Sequence, residues 1–144
     1  MSLTGTYDEA NIFAKIIRGE IPAVKIYEDA DVLAFMDVFP QSPGHCLVIS
    51  KTAKARNLFD IAPQDLTTVM MAVHKIAQAV NDALRPDGVV ITQYNGAPAG
   101  QTVFHLHVHI IPRYEGTGLK GHGHGQMADM DDLKAAASKI AAAL

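Results

Sequence analysis

Apolar positions along this chain follow two rhythms. From residue 63 to residue 84, Leu66, Val69, Met70, Val73, Ala77, Val80 and Leu84 recur every three or four residues. That spacing predicts one long helix with a single buried stripe. Pro63 suits its first position, Asp65 faces the positive end of the helix dipole, and Pro86 prevents continuation, although Ala62 stands where a capping Ser or Asp would be stronger. Residues 11–18 carry the same rhythm in miniature, with Ile12, Phe13, Ile16 and Ile17 on one face and Gly19 closing the turn. A last helix is expected from about residue 131 to residue 144, rich in alanine with acids at its start.

Short runs rich in β-formers lie between these helices, bounded by turn residues. Residues 25–29 and 32–37 read as two strands around a turn at 29–31, and residues 45–50 follow the turn chemistry of Pro40-Gln41-Ser42-Pro43-Gly44. Residues 88–94 and 104–112 read as two more. Such strands, with a long helix between them, give an α+β fold class. Residues 116–125 hold glycines at 116, 118, 121, 123 and 125 and are expected to be mobile.

Composition narrows the function. At 144 residues the chain fits one domain, and its 49% hydrophobic and 19% charged residues are ordinary for a globular protein. A net charge of −3 with 12 Lys and Arg argues against a nucleic-acid partner. No apolar run reaches the roughly 20 residues a membrane span needs, so no membrane partner is expected. Residues 1–11 lack the apolar core of a secretory signal, and the single cysteine, Cys46, excludes an intrachain disulfide; together these point to the cytoplasm.

The most informative segment is Phe104-His105-Leu106-His107-Val108-His109-Ile110-Ile111-Pro112. In a strand, alternate side chains share a face, so the three histidines would project to one side and Leu106, Val108 and Ile110 to the other, under the long helix. Three buried imidazoles are costly for a merely structural strand. One reading is a metal site, but the outer two histidines would sit roughly 13 Å apart at Cα. Zinc needs its nitrogens at about 2.0–2.1 Å, so the three do not converge on one ion. The stronger reading makes one imidazole a nucleophile, oriented or assisted by its neighbours. Just upstream, Gly100 lets the backbone approach a ligand, and Thr102 offers a hydroxyl and an N–H to a phosphate oxygen.

The stretch Gly100-Gln101-Thr102-Val103-Phe104-His105-Leu106-His107-Val108-His109-Ile110-Ile111-Pro112-Arg113 resembles the signature of the histidine-triad (HIT) superfamily. The likeness extends through Ile12-Phe13, Gly19-Glu20-Ile21-Pro22, Ala34-Phe35-Met36-Asp37 and Pro43-Gly44-His45-Cys46-Leu47-Val48-Ile49, closest to the Hint branch and common bacterial members. It divides the chain into an N-terminal extension (residues 1–10), a HIT domain (residues 11–113) and a C-terminal segment (residues 114–144). The resemblance implies a mainly antiparallel five-stranded sheet with one long helix and a short N-terminal helix, paired as a homodimer. It implies that His107 attacks the α-phosphorus of a nucleotide, that His109 contacts the phosphate and assists proton transfer, and that His105 and His45 support the site. By the same resemblance Gln101, Thr102 and the backbone of Val103 hold the phosphate and leaving group. Asp37 accepts the ribose hydroxyls, and Ile12, Phe13, Ile16, Phe35 and Val38 wall the base. The implied partner is a purine nucleotide substrate, cleaved to a nucleoside monophosphate through a covalent nucleotidyl-histidine, with no cofactor and no metal required.

Several residues depart from the family pattern. Many bacterial members bind structural zinc through a Cys-Ile-Phe-Cys segment, where this chain has Asn11 and Ala14, so that site should be absent. Tyr94 occupies a position often held by Asn near the phosphate, which leaves Asn95 without an assigned role. There is no tryptophan for the C-terminal contact of some Hint proteins, and Gly121-His122-Gly123-His124-Gly125 matches no part of the pattern. The two histidines of that tail are read as solvated, and His74, on the long helix, as structural. Other readings stay open: a dinucleoside polyphosphate hydrolase of the Fhit kind, a nucleotide-sensing or scaffold protein with incidental slow turnover, and, more distantly, a metal-binding module.

Overall fold

A computed structural model describes residues 3–118 and 126–144. The chain runs α1 (Ile12–Ile17), β1 (Lys25–Glu28), β2 (Val32–Met36), β3 (Cys46–Ser50), α2 (Pro63–Leu84), β4 (Gly88–Thr92), β5 (His107–Arg113) and α3 (Met130–Ala142). The strands form one sheet in the order β1-β2-β3-β5-β4, antiparallel at every step. The α+β class and the sheet implied by the resemblance are therefore observed. The part of the glycine-rich segment from 119 to 125, with His122 and His124, lies outside the described residues.

Strand alternation splits the buried side chains between the two faces of the sheet. Val32, Ala34 and Met36 of β2, Cys46 and Val48 of β3, and Val108 and Ile110 of β5 share one core with α2 and α3. Leu33, Phe35, Leu47 and Ile49 face the other way and pack with Phe13 and Ile16 of α1. β2 and β3 are thus buried on both sides, which is why they read as continuous apolar runs.

Each helix end has a local cause. Asn11 caps α1, its side chain accepting the N–H of Ala14 at 2.9 Å. Asp129 caps α3 by accepting from Asp131 and Asp132. α2 begins at Pro63 with no side-chain cap at Ala62 and ends with Arg85 in the left-handed conformation. Its buried face is Val69, Ala72, Val73, Ile76, Ala79 and Val80. The expected stripe was rotated from this: Met70 is exposed and Leu66, Ala77 and Leu84 are half-buried, because α2 is clasped between the sheet and α3 rather than by the sheet alone. His74 is exposed on the outer face. No helix among the described residues is long and apolar enough to cross a membrane.

Candidate active site

β3 and β5 build the floor of the site. Their register sets Leu47 opposite His109 and Ile49 opposite His107. His107 and His109, two apart on β5, therefore join the face that carries Phe35, Leu47 and Ile49. Phe13 of α1 meets His107 edge-on with ring centroids 4.9 Å apart, and meets Phe35 the same way at 5.3 Å. Leu106, Val108 and Ile110 turn to the α2 side, as alternation requires.

The strand expected from residue 104 begins only at His107. Residues 104–106 bend instead, because the N–H of Leu106 bonds the carbonyl of Ala55 at 2.9 Å rather than a ladder partner. His105 consequently reaches the site outside the ladder. Its Nε2 lies 3.0 Å from the carbonyl of Ser50, and its Nδ1 lies 2.7 Å from the hydroxyl of Tyr7. Burial pushes its pKa down to about 4, against a smaller upward pull from the Ser50 carbonyl.

Hydrogen-bond partners assign the tautomers of the cluster. A carbonyl can only accept, so His105 carries its proton on Nε2, and Nδ1 accepts from Tyr7. His107 Nδ1 lies 2.7 Å from the carbonyl of His105. It must donate there, which leaves the Nε2 of neutral His107 with a lone pair. His45 follows the left-handed turn at Gly44, where a Cβ would come within 2.3 Å of Leu84. The Gln41 N–H donates to His45 Nδ1 at 3.0 Å, so the proton of neutral His45 sits on Nε2. That Nε2 is 2.9 Å from His109 Nδ1 and 3.4 Å from an Asp37 carboxylate oxygen. Donation to His109 Nδ1 places the proton of neutral His109 on its own Nε2. In their neutral forms the Nε2 of His107 thus carries the ring's lone pair and the Nε2 of His109 carries a proton, at 5.0 Å between ring centroids. All four histidines are buried.

Asp37, His45 and His109 also bring possible ligand atoms within 4.8 Å of one another. The donor set does not suit a cation. A ligating histidine offers one nitrogen to the metal and donates from the other, whereas His45 Nδ1 already accepts an N–H. Cys46 is buried beside this group, and burial, with Asp37 adding, pushes its thiol up to about 12, which makes it inert as a nucleophile.

The remaining expected residues divide. Phe13, Ile16 and Phe35 lie in the apolar cluster beside the histidines; Ile12 is exposed at its edge, and Val103 packs against it. Val38 packs on the opposite side, against the core under α2. Thr102 is exposed. Gln101, expected to hold phosphate, is buried with its amide already committed. Oε1 accepts from Gly96 at 2.8 Å and Asn57 at 3.3 Å, and Nε2 donates to the carbonyls of Arg56 at 2.6 Å and Val103 at 3.1 Å. It shapes the loop rather than presenting an amide to a ligand. Asn95 is likewise spent, bonded to Gln93 and to the N–H of Leu58. Tyr94 stands edge-on to His109 at 5.4 Å, and Gly100, at φ 108°, is the residue that lets its ring approach: a Cβ there would lie 3.3 Å from Tyr94. Tyr7 had no sequence signal, being a lone aromatic in a polar segment.

Residues 18–116 match the HIT domain. The Hit protein of Bacillus subtilis is 43% identical over 133 residues, covering 90% of this chain and 91% of that one. An adenosine 5'-monophosphoramidase of Saccharomyces cerevisiae is 40% identical over 134 residues, 92% of this chain and 82% of the yeast protein. The crystal structure of a Hit-like protein from Bartonella henselae superposes with a TM-score of 0.91 at 51% identity, over 97% of this chain and 100% of that chain.

Proposed function

This chain belongs to the HIT family, and on that premise we propose that it hydrolyses purine nucleoside phosphoramidates, or related nucleotidyl substrates, to a nucleoside monophosphate. One observation carries the reading: the His107 Nδ1–H is committed to the His105 carbonyl, which orients the ring and makes Nε2 the nitrogen that bears the lone pair of its neutral form. The naming of the yeast relative as an adenosine 5'-monophosphoramidase supports the substrate class.

The chemistry is a double displacement. His107 Nε2 attacks the α-phosphorus, a phosphorus–nitrogen bond forms, and the bond to the leaving amine breaks. The amine departs with the proton of His109 Nε2, the negative charge left there being stabilised by the His45 Nε2–H at Nδ1 and balanced by the phosphoryl-imidazolium formed at His107. Water then attacks the phosphoramidate, gives its proton to His109, and releases the monophosphate and His107. Thr102 and the backbone at Val103 hold the phosphate oxygens. Phe13, Ile16 and Phe35, with Ile12 at the rim, wall the base. Asp37, which accepts the Phe39 N–H on one oxygen, retains acceptor capacity for a ribose diol.

We extend the proposal to a homodimer through β4. This edge strand exposes Val89 and Ile91, and Leu58, Phe59, Met70 and Met71 are exposed as well. Leu58 and Met70 line a shallow apolar depression together with Ile91. An open apolar edge of this kind is suited to pairing with its own copy.

The test is hydrolysis of an adenosine phosphoramidate, beside diadenosine polyphosphates, by the wild type and His107→Ala. Phosphoramidate cleavage that is lost in the variant, with little action on the dinucleotides, is the expected result. Preference for the dinucleotides would move the assignment to a polyphosphate hydrolase. Binding of AMP without any cleavage would move it to a sensor.

A further inference from the structure

Residues 3–9 are strapped to the body of the domain by three bonds from two segments, the loop after β3 and the end of α1. Asn57 Nδ2 donates to the carbonyl of Leu3 at 2.8 Å, Arg56 donates to that of Thr6 at 3.2 Å, and Arg18 to that of Glu9 at 2.8 Å. Lys54 adds an ion pair with Glu9. The result of this fastening is the position of Tyr7, whose hydroxyl is 2.7 Å from His105 Nδ1 and whose ring stands edge-on to the imidazole at 5.7 Å. Tyr7 lies outside the residues that match the HIT domain, which begin at 18.

We propose that Tyr7 is a positioning residue for the nucleophile, acting through His105. His105 is held at three points, each with one permitted direction. Its Nε2–H donates to Ser50 at the end of β3, its Nδ1 accepts from Tyr7, and its carbonyl accepts the Nδ1–H of His107. The Tyr7 hydroxyl is the hydrogen-bond partner that holds Nδ1, and the ring is buried. Without the Tyr7 hydroxyl, Nδ1 becomes a buried acceptor with nothing to accept. The imidazole then relieves that cost by flipping, by changing tautomer or by admitting water. Each of those movements shifts the residue whose carbonyl fixes His107. The segment ahead of the domain therefore completes the catalytic geometry without touching substrate.

The inference rests on the nucleophile assignment proposed above, so its test has a readout that needs no substrate. Long-range proton–nitrogen spectra of the histidine rings report the tautomers of His105 and His107 in the free protein. Tyr7→Phe keeps the ring and removes only the donor; Glu9→Ala removes only the exposed ion pair with Lys54 and leaves the three main-chain bonds of the segment, and Tyr7 itself, in place. In Tyr7→Phe the expected results are loss of the single His105 tautomer, loss of the pure Nδ1–H form of His107, and a fall in kcat of about three- to tenfold with KM little changed, the scale of one neutral hydrogen bond. Glu9→Ala should keep both tautomers, and the amide spectra of both variants should report an intact fold. Unchanged tautomers in Tyr7→Phe would overturn the proposal, as would the same disturbance in Glu9→Ala, which would assign the effect to the strap. A wild type that cleaves no phosphoramidate would overturn the proposed substrate while leaving the tautomer result to stand or fall by itself.

Discussion

The two faces of β5 come from one run of residues and are held by different physics. On the α2 side, Val108 and Ile110 are buried among aliphatic neighbours, where the stabilisation is non-directional and follows the area removed from water. On the other side, His107 and His109 are equally buried, and each is fixed by a partner with a single allowed direction. The apolar face can absorb a change of shape at a graded cost. The histidine face cannot lose a donor or acceptor without a proton moving elsewhere in the cluster. One strand thus serves as a stability element on one side and a chemical element on the other.

That contrast breaks most sharply at His107. His107→Ala should leave the fold intact and lower turnover at least about a thousandfold, measured on a phosphoramidate beside the amide spectrum. The mirror experiment is Ile110→Ala, three residues on in the same strand and fully buried. It should cost about 2–5 kcal/mol in chemical denaturation while the folded fraction keeps its turnover number. If Ile110→Ala lowered activity per folded molecule as far as His107→Ala does, the separation of the two faces would fail.

Acid should reveal the histidine face as well. The folded pKa of His105, about 4, lies below its ordinary 6.5, so the unfolded chain binds the extra proton first as pH falls. Stability from this group is complete above about pH 6.5 and is lost as pH drops toward 4, by at most about 3 kcal/mol. Urea denaturation at pH 7 and pH 5 checks the sign, with His105→Gln expected to flatten the slope. The smallest effect lies on the helical side. Ala62→Asp supplies the cap that α2 lacks and should add about 1 kcal/mol of stability without changing turnover.

Much of this frame was legible in the sequence, and what was missed has physical reasons. The bounds of α2 followed from Pro63, Pro86 and a regular apolar repeat. The buried stripe of α2 was displaced, because periodicity gives a face but not the number of elements that cover it, and α3 covers part of what solvent was expected to wet. The two histidines on β5 were placed correctly by alternation. His105 was not part of that strand, since its position depends on Leu106 bonding Ala55, a contact fixed by a distant loop. Gln101 sits where a ligand-holding residue was expected, and its four internal bonds come from backbone and side chains up to 45 positions away. Tautomers are the least legible feature. They are set by main-chain groups of Ser50, His105 and Gln41, and main-chain groups are the same in every residue.

The central claim is that His107 becomes covalently nucleotidylated during turnover. The direct measurement is rapid mixing of the protein with an adenosine phosphoramidate, quenching within a single turnover, and mass analysis of the peptide that spans residues 100–113. The account predicts one adenylyl group on His107, formed and lost at rates compatible with product release and absent from His107→Ala. Product accumulating in that first turnover with no adduct on any histidine would contradict it and point to direct attack by water.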